Sequence, residues 1–509
     1  MTRELHAFRG GLSLETHKSL TASQISIQHP LPERIILPLQ QHIGIAAQPS
    51  VAVGDKVLKG QTIARANGYV SVPLHSSTSG TVIDIGDYPV PHPLGLRAPC
   101  IVIEPDGEDR WFDIRPIKEY TSVDPADLQA AIRECGIVGL GGAGFPAHVK
   151  LREGVDNAVD TLIINGVECE PYITCDDRLI QEKASYIVAG AKMIRRAVQA
   201  SHCVIAVEAD MPEAHAALAK LIDDDTELVT VPTRYPAGGE KQLILAITGR
   251  QVPSGGLPIH IGVVIHNVAT AAAVYRAFTR GEPVVSRYVT VTGDIERPRN
   301  LQVLLGTPVR DCLDACGFDP ARRQRIILGG PMMGMHVMDP DIPVTKITNC
   351  ILVQAEHEEP AELPCIRCGN CADVCPVSLL PQQLHWFIRG GALDEAQRYH
   401  LFDCIECGCC AWVCPSHIPL VRYYRHGKSR IAELERQRAG ADHARARFLA
   451  RNARMKDEKA ATEQEAAVPG PGQTGLAERQ AYIAEAVART RARRSQPSPD
   501  GDAGEDGDD

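Results

Sequence analysis

Nine of the 17 cysteines fall between Cys365 and Cys414. They form two runs, Cys365-Ile-Arg-Cys368-Gly-Asn-Cys371-Ala-Asp-Val-Cys375-Pro376 and Cys404-Ile-Glu-Cys407-Gly-Cys409-Cys410-Ala-Trp-Val-Cys414-Pro415. Each reads C-x2-C-x2-C-x3-C-P, the spacing that holds [4Fe–4S] clusters. Three thiolates take three corners of a cube, and the fourth, ahead of proline, reaches the other cluster. Cys365, Cys368, Cys371 and Cys414 are therefore expected at one cluster, and Cys404, Cys407, Cys410 and Cys375 at the other. Zinc is the competing ion, but it favours C-x2–4-C pairs grouped in fours, and two complete matches favour clusters. Cys409 receives no ligand role. Two adjacent clusters conduct single electrons, so the rest of the chain must supply a donor or an acceptor.

A second candidate is Gly139-Leu140-Gly141-Gly142-Ala143-Gly144-Phe145-Pro146. It contains G-x-G-x-x-G, which in a dinucleotide fold follows a strand, opens a helix and precedes an acid by about 20 residues. Here a helical pattern precedes it, Pro146 follows at once, and Ile164 stands where the acid would be. The standard fingerprint fails on context. A tight structural turn is the plain reading. Four glycines with Lys150 nearby also suit close backbone approach to a phosphate.

These residues need a framework to position them. At 509 residues, 44% apolar and 23% charged, the chain is a multidomain globular protein. Clustered thiols without a signal-like start (MTRELHAFRG) favour metal over disulfides. Net charge −10 argues against nucleic acid as a partner. The longest weakly polar stretch, residues 261–275, contains His266, Asn267 and Thr270 and is too short to span a bilayer.

The fold class expected is multidomain α/β. Residues 1–30 read as an irregular arm. Residues 31–118 alternate short β-runs with turns, in the manner of a biotinyl/lipoyl-type β-sandwich. Such carriers present a lysine on a central hairpin; the matching turn here, Pro73-Leu74-His75-Ser76-Ser77, has none, so a docking module is expected. Residues 119–282 form an α/β domain. A helix is capped by Asp124 with Pro125 first, and strands are expected at 161–165, 203–207 and 227–231, with helices at 179–200 and 213–222. Residues 283–345 form a small α+β module with a helix at 308–316, and residues 350–425 the cysteine-rich domain. Residues 426–509 are charged and helical, then Pro/Gly-rich and acidic; Asp500 to Asp509 read as disordered.

Four motifs in order carry a resemblance. GLGGAGFPAHVK, then Asn165-Gly-Val-Glu168-Cys-Glu170-Pro171 with Asp177-Arg178, then Tyr235-Pro-Ala-Gly238-Gly239-Glu240, then Asn267-Val268-Ala269-Thr270 resemble the flavin-bearing, NADH-oxidising subunit of respiratory complex I. That resemblance implies FMN held by Gly139, Gly141, Gly142, Gly144, Lys150, Asn165, Glu168 and Asn267. It also implies NADH stacked near Phe145 with Glu170 and Glu240 close by, and a β-grasp, SLBB-like module over 283–345. Two departures stand out. Val252-Pro253-Ser254-Gly255-Gly256 replaces a Lys/Pro/Phe-rich segment, and Gly239 stands where that family carries an acid.

With the arm, the β-module and the two-cluster, ferredoxin-like domain, the order over about 420 residues resembles the RnfC/RsxC family of the Rnf/Rsx-type ion-translocating electron transport complex. This implies a peripheral protein on the cytoplasmic side of the bacterial inner membrane. It would move electrons between NADH and ferredoxin or flavodoxin, reached indirectly through partner subunits, by way of FMN and two [4Fe–4S] clusters. A microcompartment cobalamin reductase shares the layout. A non-catalytic electron wire is the alternative from another class; copurification with membrane subunits and flavin bleaching by NADH separate the three.

Plainer readings compete for single residues. Glu168 and Glu170 could serve a helix N-terminus. His266 reads as a satisfied core histidine, Cys169 and Cys175 as buried inert thiols, and Ser77 to Thr81 as a turn. The stretch 422–454 reads as a solvated charged helix before a docking surface.

Overall fold

A computed structural model describes residues 4–117, 119–156, 158–356, 358, 360–466 and 475–494; the acidic stretch from Asp500 to Asp509 lies outside them. The described residues up to Lys428 form one compact unit.

At its centre is a four-stranded, wholly parallel sheet. Its order is Thr226–Val231, His202–Glu208, Thr161–Gly166, Val263–Asn267. Adjacent residues of one strand feed opposite faces. Leu162 and Ile164 pack with the helices Cys175–Val198 and Val268–Arg280, while Ile163 packs with Leu243, Ile244 and Ile247 of the helix Glu240–Thr248. Both faces are covered, which is why these strands read as unbroken apolar runs. The expected strands and helices are present within a few residues. The structure adds the helices Ala147–Asp156, Glu240–Thr248 and Val268–Arg280 and the strand Val263–Asn267, which the sequence pattern does not mark. In residues 261–275 strand and helix are both buried, so no period separates them; the boundary is Asn267, whose side chain caps the helix by accepting from Ala269 N at 2.8 Å.

The N-terminal module is a pair of antiparallel sheets, as expected. The turn expected at Pro73 to Ser77 is different. Leu74–His75 is a strand against Thr62–Arg65, and residues 71–80 are all buried. Lys346 Nζ donates to Pro73 O at 3.4 Å and to Gly136 O at 2.7 Å, pinning the hairpin between two other domains. This tip is packed within the chain and not offered to a partner.

The arm is also more ordered than its composition implies. Ile27–Gln28 adds a parallel strand to Arg299–Leu304. Further upstream the arm runs between two domains. Gly11 N donates to Val374 O at 2.9 Å, and Leu12 bridges to Tyr235. Gly10 has φ +67°, and a Cβ there would lie 2.6 Å from the Val374 backbone, so glycine lets the strap lie flat on the cysteine-rich domain.

The β-grasp module is a six-stranded mixed sheet. Its strand Cys350–Ala355 pairs with Ser286–Gly293 and Gln324–Leu328, so the boundary with the cysteine-rich domain falls after Ala355, not at 350. The cysteine-rich domain repeats itself at an offset of 39 residues: Arg367 and Glu406, Gly369 and Gly408, and Ser378 and His417 all have positive φ. The short helices Asn370–Asp373 and Cys409–Trp412 occupy equivalent places.

The described residues from Ser429 onward form the second unit. Apart from Gly475, they belong to the helices Leu420–Ala466 and Leu476–Arg494, and most are exposed. Among the described residues no helix is long and apolar enough to cross a membrane.

Candidate functional site: two adjoining redox pockets

The glycine loop joins the helices Pro125–Glu134 and Ala147–Asp156. It closes on itself: Gly139 N donates to Phe145 O at 2.8 Å, and Gly144 N to Gly139 O at 3.1 Å. Leu140 N donates to Thr270 Oγ1 at 3.0 Å, tying the loop to the helix after Asn267. Asn165 and Asn267 end neighbouring strands in register, at the carboxyl edge of the parallel sheet, where such sheets bind ligands.

Loop and sheet edge enclose a cavity of about 850 Å³. Gly139, Gly141, Gly142, Phe145, Lys150, Asn165, Glu168, Glu170, Glu240 and Asn267 all line it. Gly144 does not. A Cβ there would meet Ile347 at 2.8 Å, and its carbonyl accepts from Ile43 N at 3.0 Å, so it seats the loop against neighbouring domains.

Several of these side chains are already engaged. Lys150 pairs with Glu240 across the cavity wall. Asn165 Nδ2 donates to Gly238 O at 2.9 Å. Glu168 accepts from Asp176 N at 2.9 Å and Asp177 N at 3.2 Å, so it caps the helix Cys175–Val198 in accord with the plainer reading. Burial, and then the Asp176 carboxylate, push Glu168 up to about 8. Glu170 crosses to the β-grasp module, accepting from Met332 N at 2.7 Å and Met333 N at 2.9 Å. Burial raises its pKa as well.

The cavity suits a flavin mononucleotide. Its volume falls in the range of roughly 300–1,000 Å³ usual for ligand sites. Gly142 has φ +107° and open space where a Cβ would stand, a bare backbone facing the cavity. Two buried wall atoms, His266 Nε2 and Gln242 Oε1, have no hydrogen-bond partner among the described residues. His266 is thus a buried but unsatisfied histidine, pushed down to about 3 by burial and by Lys150, and so neutral.

Asp176, Tyr235, Ile405 and Arg425 also line the cavity, and sequence reasoning misses all four. Asp176 accepts from Asn267 Nδ2 at 2.6 Å. Tyr235 stands inside a quoted motif, but its role depends on a distant partner: its hydroxyl donates to Cys407 O at 2.7 Å. Ile405 and Arg425 come from the cysteine-rich part of the chain and carry no local signal.

A second, smaller pocket lies among Cys375, Cys404, Cys407 and Cys410, the four thiols expected at one cluster. Cys409 also faces it, and Ile405 lines both pockets. Cys365, Cys368 and Cys414 group around Cys371: burial raises the Cys371 thiol pKa, and Cys368, Cys365 and Cys414 push it further through space. Burial likewise raises Cys410, with Cys404, Cys407, Cys375 and then Cys371 adding to it, so the two groups adjoin. Among the described residues the one set of three metal-type donors within 4.8 Å is Glu168, Cys175 and Asp176. Zinc at about 2.3 Å from each sulfur would draw its thiolates closer than that, so the spread of thiols fits a cube better. Backbone donors already reach two sulfurs: Arg367 N to Cys365 Sγ at 3.4 Å, and Leu379 N to Cys375 Sγ at 3.3 Å.

Family profiles match the chain in the order of its domains. The RnfC barrel sandwich hybrid domain matches residues 6–108, the Nuo51 FMN-binding domain 132–276, the SLBB domain 288–336 and the 4Fe-4S dicluster domain 363–418. The C subunit of the ion-translocating oxidoreductase complex of Yersinia pestis bv. Antiqua (strain Antiqua) is 48% identical over 441 residues, covering 85% of this chain and 71% of that protein. The chain belongs to this RnfC family. Its counterpart in Pseudomonas aeruginosa PAO1 is also 48% identical, over 457 residues, 89% of this chain and 59% of that one. The chain thus spans about three fifths of the length of such relatives. A solved NAD+-reducing [NiFe]-hydrogenase in the H2-reduced state shares 21% identity over 62% of this chain and 63% of its own, with TM-score 0.44, a likeness that carries no functional argument. The family profiles bear out the expected FMN-binding domain and 4Fe-4S dicluster domain.

Proposed function

We propose that this RnfC-family chain moves electrons between NADH and partner subunits of an ion-translocating membrane complex, and through them to ferredoxin or flavodoxin. It would sit as a peripheral protein on the cytoplasmic side of the bacterial inner membrane. When bound, the flavin supplies the exchange between two-electron hydride transfer and single electrons, and the clusters carry the latter. The backbone of Gly139, Gly141 and Gly142 would receive the FMN phosphate, with Lys150 released from Glu240 as countercharge. Asn165 and Asn267 hold the sheet edge beneath it. Phe145, Glu170 and Glu240 would border the nicotinamide nucleotide. Glu168 keeps the helix Cys175–Val198 in place and its own proton at neutral pH. Cys404, Cys407, Cys410 and Cys375 would hold the cluster next to the flavin, and Cys365, Cys368, Cys371 and Cys414 the outer one.

The observation that carries this reading is the shared wall. Ile405 lines both the 850 Å³ cavity and the inner thiol pocket, and Tyr235 joins them through the Cys407 carbonyl. Electron transfer needs such adjacency. The test is an absorbance spectrum of the anaerobically reconstituted chain before and after NADH. Bleaching of both flavin and cluster bands is the expected result. Bands that dithionite bleaches and NADH does not would make the chain a wire fed by another donor.

A further inference from the structure

We infer that the cleft behind the flavin cavity is a second ligand site, built for a small dianion of the phosphate type. It lies between the helices Cys175–Val198 and Val268–Arg280 and the strands Ser286–Gly293 and Arg299–Leu304, and encloses about 220 Å³. That is room for about seven waters, or a phosphate with a few more heavy atoms. The inference does not depend on what fills the larger cavity.

The charge balance points to an anion. Lys183, Arg276, Arg280 and Arg287 face the cleft, against two acids, Asp176 and Glu282. Arg287 is spent on structure, donating to Leu140 O at 2.8 Å and to Lys346 O, and its charge faces Asp176. Arg276 is held by Glu282 at 2.7 Å. That leaves Lys183, with Arg280 sharing Glu282 with Arg276. Both ammonium and guanidinium lie over the Tyr186 ring, at 5.6 and 5.3 Å, and Arg280 also donates to the Tyr186 hydroxyl. Arg280 also lies 3.7 Å from Glu282 Oε1, while Arg276 takes the other oxygen, so one acid serves two guanidinium groups. Two like charges beside one ring repel each other, and a bound anion removes that cost.

The backbone is shaped for the same place. The helix Cys175–Val198 breaks its regular geometry at Lys183, with φ −136° and ψ 32°, and no proline or glycine adjoins the kink. Next to it, Glu182 is drawn away by Ser26 N at 2.8 Å, Arg178 at 3.0 Å and Tyr288 Oη at 3.1 Å. The acid nearest in sequence to Lys183 is therefore tied to the arm and the β-grasp strand, outside the cleft lining.

Leu140 and Asp176 line this cleft and the larger cavity alike. To keep the two apart, equilibrium dialysis of labelled inorganic phosphate is run on the FMN- and cluster-loaded full chain. One saturable phosphate per chain is expected. Lys183→Met and Arg280→Met should each weaken it about tenfold or more, Lys183→Arg should retain it, and Lys150→Met should leave it unchanged. Sulfate should compete and chloride at equal ionic strength should not. If the chain takes no FMN, the same dialysis should find a phosphate that Lys183→Met removes and Lys150→Met does not. Absence of saturable binding, or binding lost with Lys150→Met and kept with Lys183→Met, overturns the inference.

Discussion

The two redox pockets are assembled in opposite ways. The eight expected ligand thiols of the cysteine-rich domain lie within 50 residues, on two copies of one backbone pattern 39 residues apart. The flavin-sized cavity draws on the glycine loop, three segments of the parallel sheet's edge, the β-grasp loop around Met333, and Ile405 and Arg425. One pocket is a local code. The other exists only where separate domains meet. Local spacing suffices for an iron–sulfur cluster because its bond lengths set where each ligand must be. A large organic ligand is recognised by surface, and surface comes from packing.

The contrast breaks most visibly at Cys407. Cys407→Ser should remove the inner cluster and about half of the iron and sulfide, read by metal analysis and the visible spectrum. Cys375→Ser should do the same to the same cluster, while Cys414→Ser should empty the outer one. If Cys375→Ser instead depleted the outer cluster, the crossed assignment would fall.

Glu168 tests the non-local pocket by pH. A carboxyl held near 8 in the folded chain, against 4.5 outside it, binds its proton more tightly when folded. Its stabilisation is complete below pH 4.5 and is lost as pH rises through about 8. The stability difference between the native chain and Glu168→Gln should therefore slope across that window by an order of several kcal/mol, and level off above it. A flat difference curve in chemical denaturation would mean that the buried acid is ionised throughout.

Gly142→Val sharpens the comparison from the cavity side. It places a branched side chain at φ +107° and aims it into open cavity space. FMN affinity should fall by about tenfold to a hundredfold, or roughly 1–3 kcal/mol, with iron content unchanged. Flavin fluorescence titration checks it. Loss of iron as well would show the two pockets to be folded as one.

The smallest effect is expected at Lys150→Met. The pair with Glu240 is partly exposed, so thermal stability should change by less than about 1 kcal/mol. FMN binding should still weaken measurably if the ammonium turns to the phosphate. Unchanged flavin affinity would assign Lys150 to Glu240 alone.

Much of the α/β domain is readable because covered faces make each strand an apolar run and each cap leaves a polar mark; Asp124 before Pro125 is an example, its carboxylate accepting from Ala126 N at 2.8 Å. Three helices and a strand are not, because a short apolar run does not by itself separate helix from strand. The arm fails differently: Ile27–Gln28 is a strand only because Arg299–Leu304 offers it an edge.

By itself the sequence determined the cluster chemistry, the order of domains and the glycine loop, since each rests on residue types at short fixed spacing. The tertiary structure decided what those residues face. It set Lys150 against Glu240, turned Glu168 to its own helix and Glu170 to the β-grasp loop, and buried the hairpin at His75. It also brought Ile405 between the two pockets. The physical reason is that side-chain partners and burial depend on contacts between segments tens to hundreds of residues apart, which no local spacing encodes.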